Sequence, residues 1–467
     1  MRTLTSVLLL FLVALAPLPT AAASTACDYS SDATESLQLV REAYDLLEGL
    51  FVERLPSEQL LTPASQAVWE RAAVDVPSLG DTSPSGLVGR SEVEEWPVFA
   101  GVYCAAWDAS DVPLDALAYT AIRAMTRAVD EGHTRFLTPQ MYLDHEAWAA
   151  GDSRYDGIGA RLRSNPLGVQ YVFPGSPADE AGLAFGDNIV AINGDSAADM
   201  SASDAVILVR GEAGTSVQIT IERPGLDGLQ TFDIPRARIR IPVIESRMIG
   251  DIAYLRLQGF PTPDLTEGVA EALREFRAEA AVALVLDLRG NTGGRLDVGT
   301  MIASYFLPVN APVYQQTTRR GQHTTAVSLN QKIWDRPMVV LIDDATASMG
   351  EILASALQEG SVATLIGRTT AGAVAGSIVV PLSDGSAVQV TTLRIDSGRG
   401  ELLNNIGVHP DVEIAVNPDD VRAGRDEVLD VGLDRLRTQL SAERQTAGEA
   451  PAPAATSPSS GGVAPVN

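Results

Sequence analysis

The sequence predicts an α+β protein of several domains, and three changes of pattern along its 467 residues carry that prediction. Apolar residues recur at helical spacing in the first third. Short strands separated by turn residues follow from Tyr155 to about Arg236, and a strand/helix alternation begins after Ile241. Five segments result: 1–26, 27–150, 151–236, 237–440 and 441–467.

The first segment, MRTLTSVLLLFLVALAPLPTAAAS and the residues just after it, has one Arg, an apolar run from Val7 to Ala16 and small residues around Ala21 to Ala23. That is the layout of a secretory signal peptide, and no later apolar run is long enough to span a bilayer. An exported, extracytoplasmic protein is expected: secreted, periplasmic or at the cell surface. A lipoprotein acylated on Cys27 competes with this, although Ser24-Thr25-Ala26 lacks the usual leucine. Cys27 and Cys104 are the only cysteines, and an even pair in an exported chain points to one disulfide tying the start of the mature chain to the next domain. Two free buried thiols are the alternative.

Segment 27–150 is helical. SLQLVREAYDLLEGLFVERL and LDALAYTAIRAMTRAV (Leu114 to Val129) have apolar residues at helical spacing, with a Ser/Pro/Gly-rich loop around Pro77 to Gly89 between them. It ends in DEGHTRFLTP, Asp130 to Pro139. The core segment alternates: DIAYLRL, helix PDLTEGVAEALREF, AVALVLDLR, helix LDVGTMIASYFL, MVVLID, helix MGEILASALQ, VATLIG, then the hairpin-like IVVPLSDGSAVQVTTLRI. The tail TAGEAPAPAATSPSSGGVAPVN is low-complexity, and a disordered tail is expected over 441–467.

The formal charge of −26 argues against nucleic acid and anionic membrane as partners. No HExxH, CxxC or P-loop pattern occurs, so no metal and no organic cofactor are expected. Lys332 is the only lysine.

Ser348 stands in TASMGEILASALQEG, after MVVLID. Ser-x-x-Glu (Ser348, Glu351) ahead of an apolar periodic run is a capping box. A hydroxyl on a strand-to-helix turn, facing a helix N-terminus, equally suits attack on a carbonyl and a developing oxyanion. Local reading leaves both open.

The segment 155–236, with GIGA in front, PGSPADEAGL in the middle and GDNIVAINGD after it, resembles a PDZ domain of the bacterial protease type. Such a domain adds an extended peptide as a strand and holds its terminal carboxylate on backbone N–H groups. The resemblance implies that Gly157, Ile158, Gly159 and Ala160 form that loop; a structural PDZ domain with a closed groove is the alternative. The order VLDLRGNTGG, TASMGEILASALQ, IGRTTAG, GVHPDVEI, with the PDZ segment in front, resembles the carboxyl-terminal processing (tail-specific) serine protease family. The resemblance implies a crotonase-like α/β protease core, Ser348 as nucleophile, and an oxyanion hole from Gly293 or Gly294 together with the N–H of Met349.

One departure matters. The family activates its serine with a lysine 25 residues downstream, and that position is Ala373; the glutamine expected four residues later is Ser377. A serine hydroxyl without a base is a poor nucleophile, and histidine is the natural replacement. His133, in DEGHTRFL, resembles the base-bearing segment of the tricorn-like branch of the same superfamily; a loop histidine held by Asp130 or Glu131 is the alternative. His145 and His323 lack a functional context, and His409 is the second choice. The orienting glutamate of that branch is replaced here by Asn404, which can accept a hydrogen bond from an imidazole N–H, with Glu401 as a possible substitute. The expected protein is an exported serine endopeptidase that binds C-terminal tails of protein substrates and works through an acyl-enzyme on Ser348 with His133 and Asn404. The alternative is a catalytically inactive PDZ-containing scaffold that binds polypeptide tails.

Overall fold

A computed structural model describes residues 31–75 and 92–446, apart from 153, 164–165, 199, 201, 241, 416, 418–419 and 422–424. The expected signal peptide, Cys27, the loop around Pro77 to Gly89 and residues 447–467 lie outside the described residues. The chain forms two compact units, one running to Phe136 together with Val380–Val390, the other comprising Leu137–Val379 and the chain from Thr391.

In the first unit the helices are α1 (Ser31–Leu50), α2 (Ser57–Asp75), α3 (Glu92–Ala109) and α4 (Leu114–Ala128), followed by strand β1 (Arg135–Leu137). Leu117, Ala118, Ala121, Ile122 and Met125 are buried on one face of α4, as their spacing requires. They meet Leu47, Leu60, Phe99 and Tyr103, and Leu382, Val388 and Val390 complete that core. Burying a side chain such as Leu117 or Ile122 contributes about 2 kcal/mol. α3 was not expected. Its EVEEWPVFAGVYCAAWDA has apolar side chains all round and an internal Pro97, so no single face stands out.

The second unit opens with α5 (Pro139–Ala149), capped by Thr138, whose side chain accepts from Met141 N–H. The helical segment was expected to run to residue 150, yet α5 packs within the second unit. Asp144 pairs with Arg210 at 2.5 Å, and a Cβ on Gly259 would lie 2.8 Å from the Trp148 ring. Next come β2 (Arg154–Gly157), β3 (Ala160–Arg163), β4 (Gly168–Val172), α6 (Pro177–Glu180), β5 (Asn188–Ile192), β6 (Asp195–Ser196), α7 (Ala202–Val209), β7 (Ser216–Glu222), β8 (Leu229–Pro235) and β9 (Ala237–Arg240). The strands form an antiparallel sheet ordered β3-β4-β5-β7-β8, with β6 on β5 and β2 paired with β9. Val169, Ile189, Ile192, Val217, Ile219 and Ile221 fill its core with Ala205 of α7, every second residue of β7 pointing inward. This is the PDZ domain.

The rest is an α/β core of β10 (Ile244–Ile249), β11 (Ile252–Leu257), α8 (Leu265–Ala278), β12 (Ala283–Asp287), α9 (Leu296–Ser304), β13 (Pro312–Thr318), β14 (His323–Val327), β15 (Met338–Ile342), α10 (Met349–Glu359), β16 (Thr364–Gly367), β17 (Ala375–Pro381), β18 (Ala387–Ser397), β19 (Val412–Glu413) and α11 (Glu427–Thr446). One sheet is ordered β10-β11-β12-β15-β16-β19, parallel except for β10. Its two faces follow the strand period: Leu284, Leu286, Val340 and Ile342 pack toward α8, α9 and α10, whereas Val285, Val339 and Leu341 pack toward Val428, Leu433 and Leu436 of α11. β13 pairs antiparallel with β14 and β18, and β17 with β18. Helix α11 continues to Thr446, so residues 441–446, expected in the tail, are helical; Gln439 Nε2 donates to Glu443 Oε1 one turn on at 3.0 Å. Among the described residues no helix is long and apolar enough to cross a membrane.

Candidate active site

The carboxyl ends of β12 and β15 deliver two loops to one place, as parallel sheets do. After β12, Asn291 is fully buried, its Nδ2 donating to the Leu257 carbonyl at 2.9 Å and its Oδ1 accepting from Gly293 N–H at 2.9 Å. After β15, Thr346 Oγ1 donates to the Leu288 carbonyl at 2.8 Å, and Ala347 N–H donates to the Asn291 carbonyl at 2.8 Å. These bonds bring the DLRGNTGG loop against the Ser348 turn.

Ser348 itself is at φ 55°, ψ −124°, immediately before α10. A non-glycine residue in that region is strained, and such strain on a strand-to-helix turn lifts the side chain clear of the backbone. Three features hold it. Ser348 N–H donates both to the Ala373 carbonyl at 2.8 Å and to Glu351 Oε2 at 2.9 Å. Gly293, at φ 87°, comes so close that a Cβ there would lie 2.6 Å from Ser348 Cβ and 2.9 Å from Met349 N. Only glycine fits. Ser348 and Glu351 also form the capping box that their spacing predicts. Cap and nucleophile are therefore compatible roles of one residue, because the box anchors the backbone.

Glu351 does more than its motif implied. It is completely buried, and besides Ser348 N–H it accepts from Thr370 Oγ1 at 2.5 Å, Gly372 N–H at 2.8 Å and Ala373 N–H at 3.0 Å. Burial pushes its pKa up, while Thr370 and the three backbone donors pull it down. It thus fastens the 370–373 loop to the Ser348 turn. Ser-x-x-Glu was the signal, but the second set of donors lies 19 to 22 residues away in sequence.

Of the expected oxyanion donors, Gly293 N–H is taken by Asn291, while Gly294 N–H and Met349 N–H have no acceptor among the described residues. Ala373, where the family lysine was sought, is brought to Ser348 through its backbone. Asn404 reaches the same loop, its Oδ1 accepting from Val374 N–H at 3.0 Å. His409, exposed, has Nδ1 3.0 Å from Thr369 Oγ1, and His323 has Nδ1 2.8 Å from Thr317 Oγ1. His133 belongs to the first unit, where its ring Nδ1 lies 3.4 Å from Glu131 Oε1. Cys104 is buried on α3.

In the PDZ domain, the Gly159 carbonyl accepts from Phe173 N–H at 2.9 Å and the Ile158 carbonyl from Ala178 N–H at 2.8 Å. The N–H groups of Ile158 and Gly159 have no acceptor among the described residues. Gly157 and Ala160 end the flanking strands β2 and β3. Sequence reasoning missed Arg161 on β3: its guanidinium donates to the Gly290 carbonyl and, at 3.1 Å, to Gln258 Oε1. Burial lowers its pKa. The strand that follows the GIGA segment is therefore bonded directly to the DLRGNTGG loop.

Known proteins resemble this chain in sequence and in fold. The profile of peptidase family S41 matches residues 251–414, and a PDZ domain profile matches residues 168–223. A carboxyl-terminal-processing protease of Synechocystis sp. is 34% identical over 309 residues, covering 64% of this chain and 71% of that protein. One of Picosynechococcus sp. is 32% identical over 309 residues, covering 64% of this chain and 74% of that protein. The solved structure of a photosystem II D1 C-terminal processing protease superposes with a TM-score of 0.58 at 25% identity, covering 83% of this chain and 94% of that chain. With the PDZ domain, the α/β core and the Ser348 turn in place, the chain belongs to peptidase family S41 and has the fold of a carboxyl-terminal-processing serine protease.

Proposed function

We propose that this peptidase is an exported serine endopeptidase that captures the C-terminal tail of a protein substrate on its PDZ domain and cleaves through an acyl-enzyme on Ser348, with His133 as base. The strained Ser348 turn against Gly293 carries the reading, because it sets a hydroxyl beside two unengaged N–H groups. Ser348 Oγ attacks the scissile carbonyl carbon as its proton passes to His133 Nε2. Gly294 and Met349 N–H receive the oxyanion. The imidazolium then protonates the leaving amine as the C–N bond breaks, and water, deprotonated by the same nitrogen, releases the acid.

A histidine base fits because position 373 is alanine and because Glu351, whose carboxylate is bonded to Ser348 N–H, already accepts four donors. Asn404 is assigned to support of the 372–374 loop through its bond to Val374. Tail capture rests on the open N–H groups of Ile158 and Gly159 within the GIGA loop, Gly157 to Ala160. Export and the Cys27–Cys104 disulfide remain part of the same proposal, the latter supported by the disulfide-bonded state of Cys104. The 27–150, 151–236 and 237–440 segments are taken as helical, PDZ and protease regions.

Ala373 favours a second reading, a silent scaffold that binds tails without cutting them. A serine-reactive fluorophosphonate separates the two. One adduct on the mature chain, lost in Ser348→Ala and in His133→Ala, supports the enzyme; an unlabelled wild type that still binds C-terminal peptides supports the scaffold.

A further inference from the structure

The His133 turn holds a carboxylate that the scheme above leaves unused. Asp130 takes the left-handed conformation at φ 51°, and the chain closes with Thr134 N–H on the Glu131 carbonyl at 3.4 Å. Within this turn the Glu131 carboxylate is fixed at two points. His133 N–H donates to Oε1 at 3.0 Å, and Thr134 Oγ1 donates to Oε2 at 3.1 Å. An exposed glutamate would sample many rotamers; this one is 10% exposed and tied to the backbone of the histidine it faces.

The two ring nitrogens of His133 have unlike surroundings. Nδ1 is buried without a hydrogen bond, 3.4 Å from Glu131 Oε1, whereas Nε2 is not shut off from solvent. An orphaned buried ring nitrogen is costly, and a small rotation of the imidazole turns the 3.4 Å approach into a hydrogen bond. No other charged side chain pairs with His133 among the described residues.

We infer that Glu131 is the positioning residue of the base. It accepts a hydrogen bond from Nδ1–H, fixes the tautomer that leaves the lone pair on the accessible Nε2, and stabilises the imidazolium formed when Ser348 gives up its proton. The inference rests on the reading of His133 as base. It also supplies the carboxylate that the sequence lacks at Asn404, drawing it from two residues upstream of the histidine.

The alternative is a glutamate that merely closes its turn, and the test must move something that a turn cap does not. The mature chain, labelled with ¹⁵N-histidine, gives the tautomer directly: an Nδ1-protonated His133, assigned by its loss in His133→Ala, is expected. A neutral ring protonated on Nε2 overturns the inference without any mutation at 131. Fluorophosphonate labelling rates against pH are then compared for wild type, Glu131→Gln, Glu131→Asp and His133→Ala. Glu131→Gln is expected to slow labelling by about a hundred- to ten-thousand-fold, to shift the lower arm of the pH profile to lower pH and to remove the Nδ1 signal. Glu131→Asp should recover part of the rate. Wild-type labelling in Glu131→Gln, with His133→Ala unlabelled, overturns this inference alone; labelling of His133→Ala at the wild-type rate, or none of the wild type, overturns the base assignment beneath it.

Discussion

Two turns, one in each unit, are built around a glutamate, and they use it differently. At Ser348 the carboxylate of Glu351 lies inside the core and collects four donors, three of them backbone N–H groups. At His133 the carboxylate of Glu131 accepts from the His133 N–H and the Thr134 hydroxyl of its own turn and has an imidazole nitrogen beside it. A carboxylate surrounded by fixed backbone donors is an anchor, since its bonds join segments distant in sequence. A carboxylate held by its own turn and facing a titratable ring is suited to steering that ring. The contrast suits Glu351 to architecture and Glu131 to the positioning role inferred for it.

The largest expected effect tests the turn itself. Ser348→Ala should cut turnover and fluorophosphonate labelling by about a thousand-fold or more while costing only about 1 kcal/mol of stability from the lost cap, because the anchoring bonds to Glu351 and Ala373 use the serine N–H. A large stability loss would mean that the hydroxyl, too, is structural. Next, Glu351→Gln should destabilise the chain by about 3 kcal/mol, since an amide cannot accept all four donors; urea unfolding measures it, and a neutral result would remove the anchor role. Gly293→Ala should cost about 2 kcal/mol and slow labelling at least about ten-fold, as its Cβ displaces the Ser348 turn.

A smaller effect concerns pH. Burial raises the Glu351 pKa above its ordinary 4.5 despite its donors. A carboxylate that binds its proton more tightly when folded contributes most at low pH and progressively less as pH climbs from 4.5 through the raised value. The stability gap between wild type and Glu351→Gln should therefore shrink over that window and then level off. A gap that widens instead would show that the four donors outweigh burial.

Much of this was legible because it is local or periodic. The alternation in AVALVLDLR and MVVLID, the face of α4 and the Ser-x-x-Glu spacing can each be read within a few residues. Other features depend on distant partners. The polar run HTTAV of β14 becomes a strand only beside β13, which in turn pairs with β18. No local motif marks Arg161, whose bond to Gly290 joins residues 129 positions apart. Glu131 lay in plain view of His133 in sequence, yet only the turn at Asp130 swings its carboxylate to the ring nitrogen. Helix α5 looked like the end of the helical region because periodicity reports secondary structure and says nothing of which core a helix joins.

The smallest predicted effect is at Ala373, where substitution by lysine should change stability by less than about 1 kcal/mol. Ser348 and Glu351 grip this residue through its carbonyl and its N–H. The mount is main chain and the fitting is the side chain. The side chain at position 373 can therefore change while the Ser348 turn, held through main-chain bonds, stays in register.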